Sequence, residues 1–385
     1  MTTPRPRLRF QLIAFFLTRT IINTMYRMVY PFMTVFARGM GVPVGEVAAA
    51  VAARSALGLA APLLGSSADR RGRKRGMVLG LGVFVAGAAV VVLRPMYFPF
   101  VAALLLTGAG KIAFDPAMQA YLGDLVGYQR RGQAIALTEI GWSLAFLVGV
   151  PLMGWLIARG GWTAPFPWLA GLGAAAALML WRMLPRDTRK AGGSLSLADG
   201  LRRIVLHRAA LAGLAVGLLA SAANEIVNIV FGVWLEVSFG LQVVALGAAA
   251  AVIGLAELSG EGLVATTVDR IGKRRAIAIG LILNCGACLL LPVLGQSVPG
   301  ALLGLFCFYI TFEFTLVSSI PLMTELVPEA RATLMSGNIS ALSAGRVLGA
   351  AAGLALYSEG MRTNTLATIL LNMAALAILL TLVRD

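Results

Sequence analysis

The sequence predicts an all-α membrane protein with twelve transmembrane helices in two pseudo-symmetric six-helix bundles. Three observations lead to this fold class: an apolar composition, twelve apolar stretches of membrane-spanning length, and an internal repeat that relates the two halves of the chain. The 385 residues are 59% hydrophobic and only 13% charged, whereas a soluble domain carries about 25% charged residues. The composition therefore excludes an ordinary soluble fold.

Each predicted span contains at least about 20 predominantly apolar residues, the length that crosses a bilayer as a helix. The twelve spans, numbered in chain order, lie at residues 10–37, 44–66, 76–94, 96–124, 133–158, 163–184, 209–237, 243–266, 276–298, 299–327, 333–357 and 363–383. The first span follows a basic start, as in a signal peptide, but it is too long for a signal region and shows no cleavage pattern. We therefore expect it to be retained.

Basic residues lie mostly on one side of this predicted topology. The chain has 32 Lys and Arg and a formal net charge of +15. With a cytoplasmic N-terminus, 23 of them fall in inner segments and four in outer loops, namely Arg38, Arg94, Arg159 and Arg362. This asymmetry follows the positive-inside rule. The charge therefore indicates membrane orientation, with both termini cytoplasmic, and not a nucleic-acid partner.

An offset of 200 residues aligns one half of the chain with the other. It places Asp69, Arg70, Gly72 and Arg75 on Asp269, Arg270, Gly272 and Arg275. A longer polar stretch separates six spans on either side. We expect an N-terminal six-helix bundle at 1–184, a cytoplasmic basic linker at 185–208 and a C-terminal six-helix bundle at 209–385. Duplicated halves with a binding site between them are a transporter architecture.

The same offset aligns two stripes of small residues, which let helices approach closely in lipid. They are Gly141, Ala145 and Gly149 in span five and Ala341, Gly345 and Gly349 in span eleven. Simple helix packing accounts for such stripes by itself. We predict that the span-five stripe packs on span eight, and that Gly345, Gly349 and Gly353 pack on span two.

A basic loop connects spans two and three. It reads Gly65, Ser66, Ser67, Ala68, Asp69, Arg70, Arg71, Gly72, Arg73, Lys74, Arg75. This loop resembles the signature loop of the major facilitator superfamily, a Gly, three residues, Asp-Arg, one residue and Gly-Arg-Lys. The second copy at 265–275 lacks only the leading Gly. A generic basic loop would explain the arginines but not Asp69, Gly72 and their repeats.

The resemblance implies the major facilitator fold of a bacterial twelve-helix transporter, of the drug or sugar efflux type, in the cytoplasmic (inner) membrane. It also implies a cytoplasmic gate, in which a loop aspartate, a loop arginine and an acid at the end of span four latch the halves together. The corresponding positions and their repeats are Gly65, Asp69, Arg70, Gly72, Arg73, Asp124, Asp269, Arg270 and Gly272. The chain departs from drug/proton antiporters at Leu104, where they have an arginine.

Eleven charged residues lie inside the predicted spans, more than two positions from either end. They are Arg19, Arg27, Arg54, Lys111, Asp115, Glu139, Glu225, Glu257, Glu261, Glu313 and Arg346. Facing lipid, the set would cost roughly 30 kcal/mol, so these side chains must face protein or water. Spans three, six, nine and twelve carry none of them. Those four spans are therefore expected on the outside, which is also the arrangement that the family resemblance implies.

Polar residues recur every three or four positions on spans one, four and seven, which places each set on one helical face. The predicted substrate-binding residues are Arg19, Asn23, Arg27, Tyr30, Lys111, Asp115, Asn224, Asn228 and Tyr309. The resemblance also places spans one, four, seven and ten around a central cavity. The alternative is that these residues only pair with each other, as Lys111 and Asp115 can at a spacing of four.

The remaining charges are assigned to two further roles. Arg54, Glu139, Glu257, Glu261 and Arg346 lie on spans two, five, eight and eleven, and we predict that they form structural pairs at the interface between the bundles. Cations prevail in the first half and acids in the second, so the cavity should be bipolar. We predict that Glu225 and Glu313 couple protons, because a low-dielectric site favours the neutral form of a carboxyl group.

These features predict a secondary active transporter that moves a small organic solute by alternating access. We expect proton coupling and an anionic or zwitterionic substrate, and we expect the protein to be a monomer in the lipid bilayer. A lipid or lysolipid flippase on the same fold is the alternative. No enzyme, cofactor or metal site is expected, because the only histidine, His207, lies in the basic linker and no nucleophile motif or metal-ligand cluster appears.

Overall fold

A computed structural model describes residues 6–61, 72–126, 137–185 and 197–383. Every regular element in these ranges is helical. The first half contains α1 Pro6–Arg27, α2 Met33–Met40, α3 Val44–Ala56, α4 Arg73–Leu93, α5 Tyr97–Leu125, α6 Leu137–Gly160 and α7 Pro165–Met183. The second contains α8 Leu197–Leu206, α9 Arg208–Asn228, α10 Phe231–Phe239, α11 Val243–Ile271, α12 Lys273–Leu294, α13 Val298–Leu326, α14 Arg331–Tyr357 and α15 Met361–Leu382.

The helices differ from the predicted spans mainly at the N-terminus. Within the described residues, ten helices are long and apolar enough to cross a membrane, or eleven if α2 and the helix Val44–Ala60, bent by 115° relative to each other, form one span. The prediction of twelve spans from the sequence instead counted α1 and α2 together as span one. Helix α1 is long enough to cross a membrane but is not among these ten, because polar residues such as Arg19, Asn23 and Arg27 make it less apolar.

Two helix breaks repeat the internal symmetry. The chain leaves helical geometry after Arg27, between α1 and α2, and again after Asn228, between α9 and α10. The breaks lie 201 residues apart, close to the offset found in the sequence. The first break contains Pro31, which cannot continue the hydrogen bonding of a helix. The residues of both breaks are buried.

The two halves meet through two pairs of helices. Helix α6 packs on α11, and α3 packs on α14. These are the predicted contacts of span five with span eight and of span two with span eleven. The tight contacts use glycines other than those in the predicted stripes. A Cβ on Gly254 of α11 would lie 2.5 Å from the backbone nitrogen of Leu147, and one on Gly58 would meet Ser343 of α14.

For the glycines of the small-residue stripes, the predicted helix partners are wrong. A Cβ on Gly141 or Gly149 would meet α1, at 3.1 Å from the Phe16 carbonyl oxygen and against Thr24 respectively. The counterparts in α14 face α9: a Cβ on Gly349 would lie 2.6 Å from the Ala222 carbonyl oxygen, and Gly345 and Gly353 also meet α9. The stripes therefore hold helices together within each half, which is the simple packing that small residues permit in lipid.

Helices α4, α7, α12 and α15 make their main contacts inside their own half. Helix α4 packs on α5 and α7, and α12 packs on α13 and α15. Large apolar side chains remain exposed on these helices, including Leu93, Trp168 and Leu370. An apolar exterior of this kind suits contact with lipid. This arrangement agrees with the expected outer position of spans three, six, nine and twelve.

Candidate substrate and proton-coupling site

Arg27 and Glu257 form a buried ion pair between the two halves. Arg27 lies at the end of α1 and donates to both carboxylate oxygens of Glu257 on α11, at 2.6 and 2.5 Å. A third hydrogen bond, 3.0 Å long, reaches the carbonyl oxygen of Trp142. The guanidinium also lies 3.5 Å from the ring centre of Phe146. Every face of this cation is thus occupied by protein.

A second charged cluster lies on α1, α5 and α6. The Lys111 ammonium donates to Asn23 Oδ1 at 2.6 Å and to Asp115 Oδ2 at 2.7 Å. Arg19 pairs with the other oxygen of Asp115 at 3.3 Å and with Glu139 at 2.5 Å. Two cations and two acids therefore neutralise each other within the first half.

Glu225 on α9 lies in a hydrogen-bonded chain that crosses between the halves. It is fully buried and accepts from the Tyr30 hydroxyl at 3.0 Å and from the Asn228 amide at 3.2 Å. The Tyr309 hydroxyl donates to the Asn228 carbonyl oxygen at 2.7 Å. On the other side, Arg54 Nη2 donates to the Tyr30 hydroxyl at 3.4 Å. The chain therefore runs from α13 through α9 to the break after α1 and on to α3.

Glu313 on α13 has a different environment. Its side chain is only 5% exposed, and it makes no hydrogen bond or ion pair with any residue that the structure describes. A Cβ on Gly260 would lie 3.0 Å from the Glu313 Cβ, so Glu313 packs against the turn of α11 that carries Glu257 and Glu261. Glu261 accepts a hydrogen bond from the Ser143 hydroxyl at 2.9 Å.

Tyr26 and Trp142 form an aromatic pair that sequence reasoning missed. Their ring centres lie 6.1 Å apart. Arg54 stacks on Tyr26 at 3.6 Å, and the Arg346 guanidinium carbon lies 6.0 Å from the Trp142 ring centre. Lys111 is within 6.0 and 5.5 Å of the two rings. Aromatic residues are ordinary in membrane helices, so only the surrounding cations identify this pair.

The structure thus places most of the predicted site residues together but changes their partners. Glu257 and Glu139, assigned to structural pairs at the interface, do form ion pairs, with Arg27 and Arg19 of the predicted substrate-binding set. Arg54 and Arg346 pair with no carboxylate at ion-pair distance among the described residues. The side-chain carbonyl oxygen of Asn224 is buried and has no hydrogen-bond partner. The assigned roles stay predictions.

The predicted gate is only partly covered, because Gly65, Asp69 and Arg70 lie outside the described residues. Gly72 and Gly272 precede α4 and α12 with φ of +97° and +87°, a conformation that favours glycine. Arg73 pairs with Asp124 at 3.6 Å. The equivalent pair in the second half is Lys273 with Glu325, and sequence reasoning missed Glu325. Both pairs join helices of one half.

Asp269 and Arg270, also assigned to the gate, lie at the end of α11. Both side chains are exposed. Neither forms an ion pair with any residue in the described ranges. The repeat of the loop sequence is therefore matched by a repeat of backbone geometry and of the Arg73 and Lys273 pairs, but not by an ion pair at these two positions.

The opposite end of the molecule, away from the C-terminus and these loop residues, is called the far side. Here α2 and α10 join the halves: Arg38 donates to Glu236 at 2.5 Å, and the Thr34 hydroxyl also contacts Glu236. A Cβ on Gly232 would lie 2.6 Å from the Tyr30 carbonyl oxygen. The halves are therefore in close contact on the far side.

No group of three or more His, Cys, Asp or Glu side chains in the described ranges could hold a metal ion. Apolar helices of spanning length, arranged in two halves with ion pairs between them, define a multi-pass membrane protein. A family model described as Major Facilitator Superfamily matches residues 15–255 and 213–385. The chain belongs to this superfamily and is a transporter.

Curated relatives agree with this assignment. The inner membrane transport protein YdhP of Escherichia coli (strain K12) is 25% identical over 350 residues, which cover 90% of this chain and 89% of that protein. The multidrug transporter MdfA of Yersinia pestis bv. Antiqua (strain Angola) is 30% identical over 246 residues, 59% of this chain and 58% of that protein.

Solved structures show the same fold at lower identity. A bacterial homolog of the human lysosomal transporter Spinster, in an inward-facing and unoccupied conformation, matches with a TM-score of 0.81 and 15% identity, covering 98% of this chain and 97% of that chain. The human organic anion transporter MFSD10 matches with a TM-score of 0.72 and 20% identity, covering 97% of this chain and 100% of that chain.

Proposed function

We propose that this protein is a secondary active transporter that moves a small organic solute across the cytoplasmic membrane by alternating access. Protons drive the movement, and the solute is anionic or zwitterionic. Residues 1–184 and 209–385 act as the two moving bundles, joined by the linker 185–208. Both termini lie in the cytoplasm, and the protein works as a monomer.

The Arg27–Glu257 ion pair is the observation that carries this proposal. A buried pair between two packed bodies stabilises one arrangement of them and must break when they rock apart. Its two carboxylate contacts link α1 to α11 at the centre of the interface. A static membrane protein would have no need of buried charges at this position, because apolar residues of similar volume are often as stable.

Glu225 and Glu313 support the proton-coupled part of the proposal. Both are buried, and each lies where a change of access would alter its surroundings. Glu225 is hydrogen bonded to Tyr30 of the opposite half, so its environment changes when the halves move. Glu313 lies beside Glu257 and Glu261, so its charge is coupled to the state of the Arg27–Glu257 pair.

Two relatives support the class of solute. One is named a multidrug transporter and another an organic anion transporter. The first name supports organic molecules as the solutes, and the second supports a negative charge on the solute. Arg54 and Arg346, which have no carboxylate at ion-pair distance among the described residues, give this chain the means to hold an anion.

Proteoliposomes test the proposal directly. Vesicles containing the purified chain and a trapped pH-sensitive dye receive small organic anions, zwitterions and cations one at a time. We expect at least one anion or zwitterion to move protons, and protein-free vesicles to show no such signal. Movement of a labelled lipid between leaflets, without any solute-dependent proton movement, would indicate a flippase instead and overturn the proposal.

A further inference from the structure

The three cations predicted to bind an anion are already neutralised. Arg27 makes two hydrogen bonds to Glu257, Lys111 binds Asp115, and Arg19 lies between Asp115 and Glu139. An anionic solute could bind any of them only by displacing a carboxylate. The cations that remain for an anion lie on α3 and α14.

Arg54 and Arg346 are the cations of this interface without a carboxylate at ion-pair distance in the described part of the chain. Arg54 is 1% exposed, donates to the carbonyl oxygen of Tyr26 at 2.6 Å, and keeps a buried Nε–H that has no hydrogen-bond partner. Arg346 lies on α14 and faces the Tyr26 side chain. Burying the Arg54 cation with no carboxylate at ion-pair distance is unfavourable, so the pair of arginines favours a negative group close to them.

Tyr26 and Trp142 supply an apolar surface beside these cations. Arg54 stacks on the Tyr26 ring at 3.6 Å, and Arg346 lies 6.0 Å from the Trp142 ring centre. Tyr26, Trp142 and Arg346 are only partly buried. A flat organic body could lie against the two rings with its charged end toward the arginines.

We propose that Arg54, Arg346, Tyr26 and Trp142 form a subsite for an anionic group carried on an aromatic body. This assignment rests on the proposed transport function and names the class of its solute. Arginine presents several donors in a plane and suits carboxylate and sulfonate oxygens. The two aromatic rings supply stacking contact to the body of the solute.

Glu225 couples this subsite to a proton. The groups that face it are Asn228 on its own helix, Tyr30 at the break after α1, Arg54 on α3, Arg346 on α14 and Tyr309 on α13. An ionised Glu225 offsets part of the positive charge of the two arginines and so weakens their attraction for an anionic solute. A protonated Glu225 is neutral and leaves that attraction undiminished. Proton and anion therefore strengthen each other's binding, and by linkage the effect is reciprocal. The coupling favours co-transport in one direction.

The test uses the purified full-length chain and benzenesulfonate, which stays ionised at all working pH values. Its neutral analogue benzenesulfonamide and an equal concentration of sodium chloride are the ligand controls. Binding is measured by the rise in melting temperature and by calorimetry. We expect benzenesulfonate, and neither control, to stabilise the protein. Failure of benzenesulfonate to bind the unmodified chain overturns the proposal.

Arg346→Gln should weaken benzenesulfonate binding at least about tenfold, equivalent to about 1.4 kcal/mol. Arg159→Gln is the matched control, because Arg159 is an exposed cation stacked on Trp155 at 4.1 Å and removed from the subsite. Arg54→Gln should act like Arg346→Gln if the variant folds. Equal affinity in the unmodified chain, Arg159→Gln and Arg346→Gln would place the anion elsewhere and overturn the subsite.

Glu225→Gln tests the coupling. The unmodified chain should bind benzenesulfonate more tightly in mildly acidic than in mildly alkaline buffer, whereas Glu225→Gln should bind with the tighter affinity at both. A variant that keeps the pH dependence would overturn the coupling to Glu225. Because these experiments measure equilibrium binding, they test the subsite separately from transport. If the protein moves protons with a solute in vesicles but does not bind benzenesulfonate, only the subsite is overturned. If it binds benzenesulfonate but moves no solute, the transport proposal is overturned.

Discussion

The guanidinium of Arg27 and the carboxylate of Glu257 hold the two halves of the molecule together through a pair of parallel hydrogen bonds. The partners are 230 residues apart in the chain and come from α1 and α11. Both side chains are almost completely buried, at 4% and 3% exposure. The interaction is therefore desolvated and has few alternative partners.

Arg27→Ala should strongly destabilise the protein. Removing one partner of a buried pair leaves the other charge uncompensated and costs about 3–5 kcal/mol. The melting temperature in detergent measures the loss, with Arg159→Ala as a control that removes an exposed cation. Unchanged stability together with lost solute affinity would mean that Arg27 is a substrate-binding residue and that the pair contributes little to the fold.

The double variant Arg27→Met with Glu257→Leu should recover most of that stability. Replacing a buried ion pair by apolar side chains of similar volume is often neutral or stabilising by about 1–4 kcal/mol. Transport should nevertheless be lost, because the apolar pair no longer exchanges partners when the halves move. Retained transport in a stable double variant would show that the pair has no role in the cycle.

The sequence was sufficient to predict which residues avoid lipid but not which residues they contact. Charged residues in apolar spans must face protein, so the set that avoids lipid could be found from the positions of the charges within the spans. Pairing of Arg27 with Glu257 depends on how two helices from different halves are rotated against each other. Spacing along one helix defines a face and carries no information about the neighbouring helix.

The small-residue stripes show the same limit. The four-residue spacing of Gly141, Ala145 and Gly149 correctly indicated a close helix contact. It could not distinguish α1, which Gly141 and Gly149 meet, from α11, which lies on another side of the same helix. Tyr26 and Trp142 escaped notice for a related reason, since their significance depends on the four cations that the fold assembles around them.

Gly345→Ala should destabilise the second half. A Cβ at this position would lie 2.2 Å from the Leu218 carbonyl oxygen and 2.9 Å from the Ala222 nitrogen. Both are backbone atoms of α9, so the helices must move apart, and overpacking of this kind typically costs about 1–3 kcal/mol.

Gly262→Ala is the matched control for that variant. Gly262 also lies within a helix, but a Cβ added to it would have no neighbouring atom within 4 Å. Alanine in an exposed helix is favoured over glycine by about 1 kcal/mol, so this variant should be neutral or slightly more stable. Similar melting temperatures for the two variants would contradict the close contact between α14 and α9.

Glu236→Gln should loosen the contact between the halves on the far side. Glu236 interacts with both Arg38 and Thr34 of the opposite half, but Arg38 is 64% exposed. Exposed ion pairs contribute only about 0.2–1 kcal/mol, so the population open on the far side should rise by no more than about fivefold.

Spin labels at the exposed positions Glu46 and Ser238, in a background without the native cysteines, can measure that population. The labels should report a shorter distance when the far side is closed and a longer one when it is open, and the longer distance should be more populated in Glu236→Gln. Arg159→Gln, which changes a charge on α6 away from this contact, should leave the distribution unchanged. If the unmodified chain, Glu236→Gln and Arg159→Gln all gave the same distance distribution, the Arg38–Glu236 pair would not contribute to closing the far side.

Glu313→Gln and Glu225→Gln should separate proton coupling from solute binding. A neutral amide imitates the protonated acid, so a variant at the coupling position should lose accumulation driven by a pH gradient and keep exchange of solute for solute.

Glu313 makes no hydrogen bond or ion pair within the described ranges, so its variant should also keep the stability of the unmodified chain. Glu225 accepts hydrogen bonds from Tyr30 and Asn228, and an amide can satisfy only part of that arrangement. We therefore expect a lower melting temperature for Glu225→Gln alone. If both variants still accumulate solute against a pH gradient, the proton is carried by Asp115, Glu139 or Glu261, or another ion drives transport.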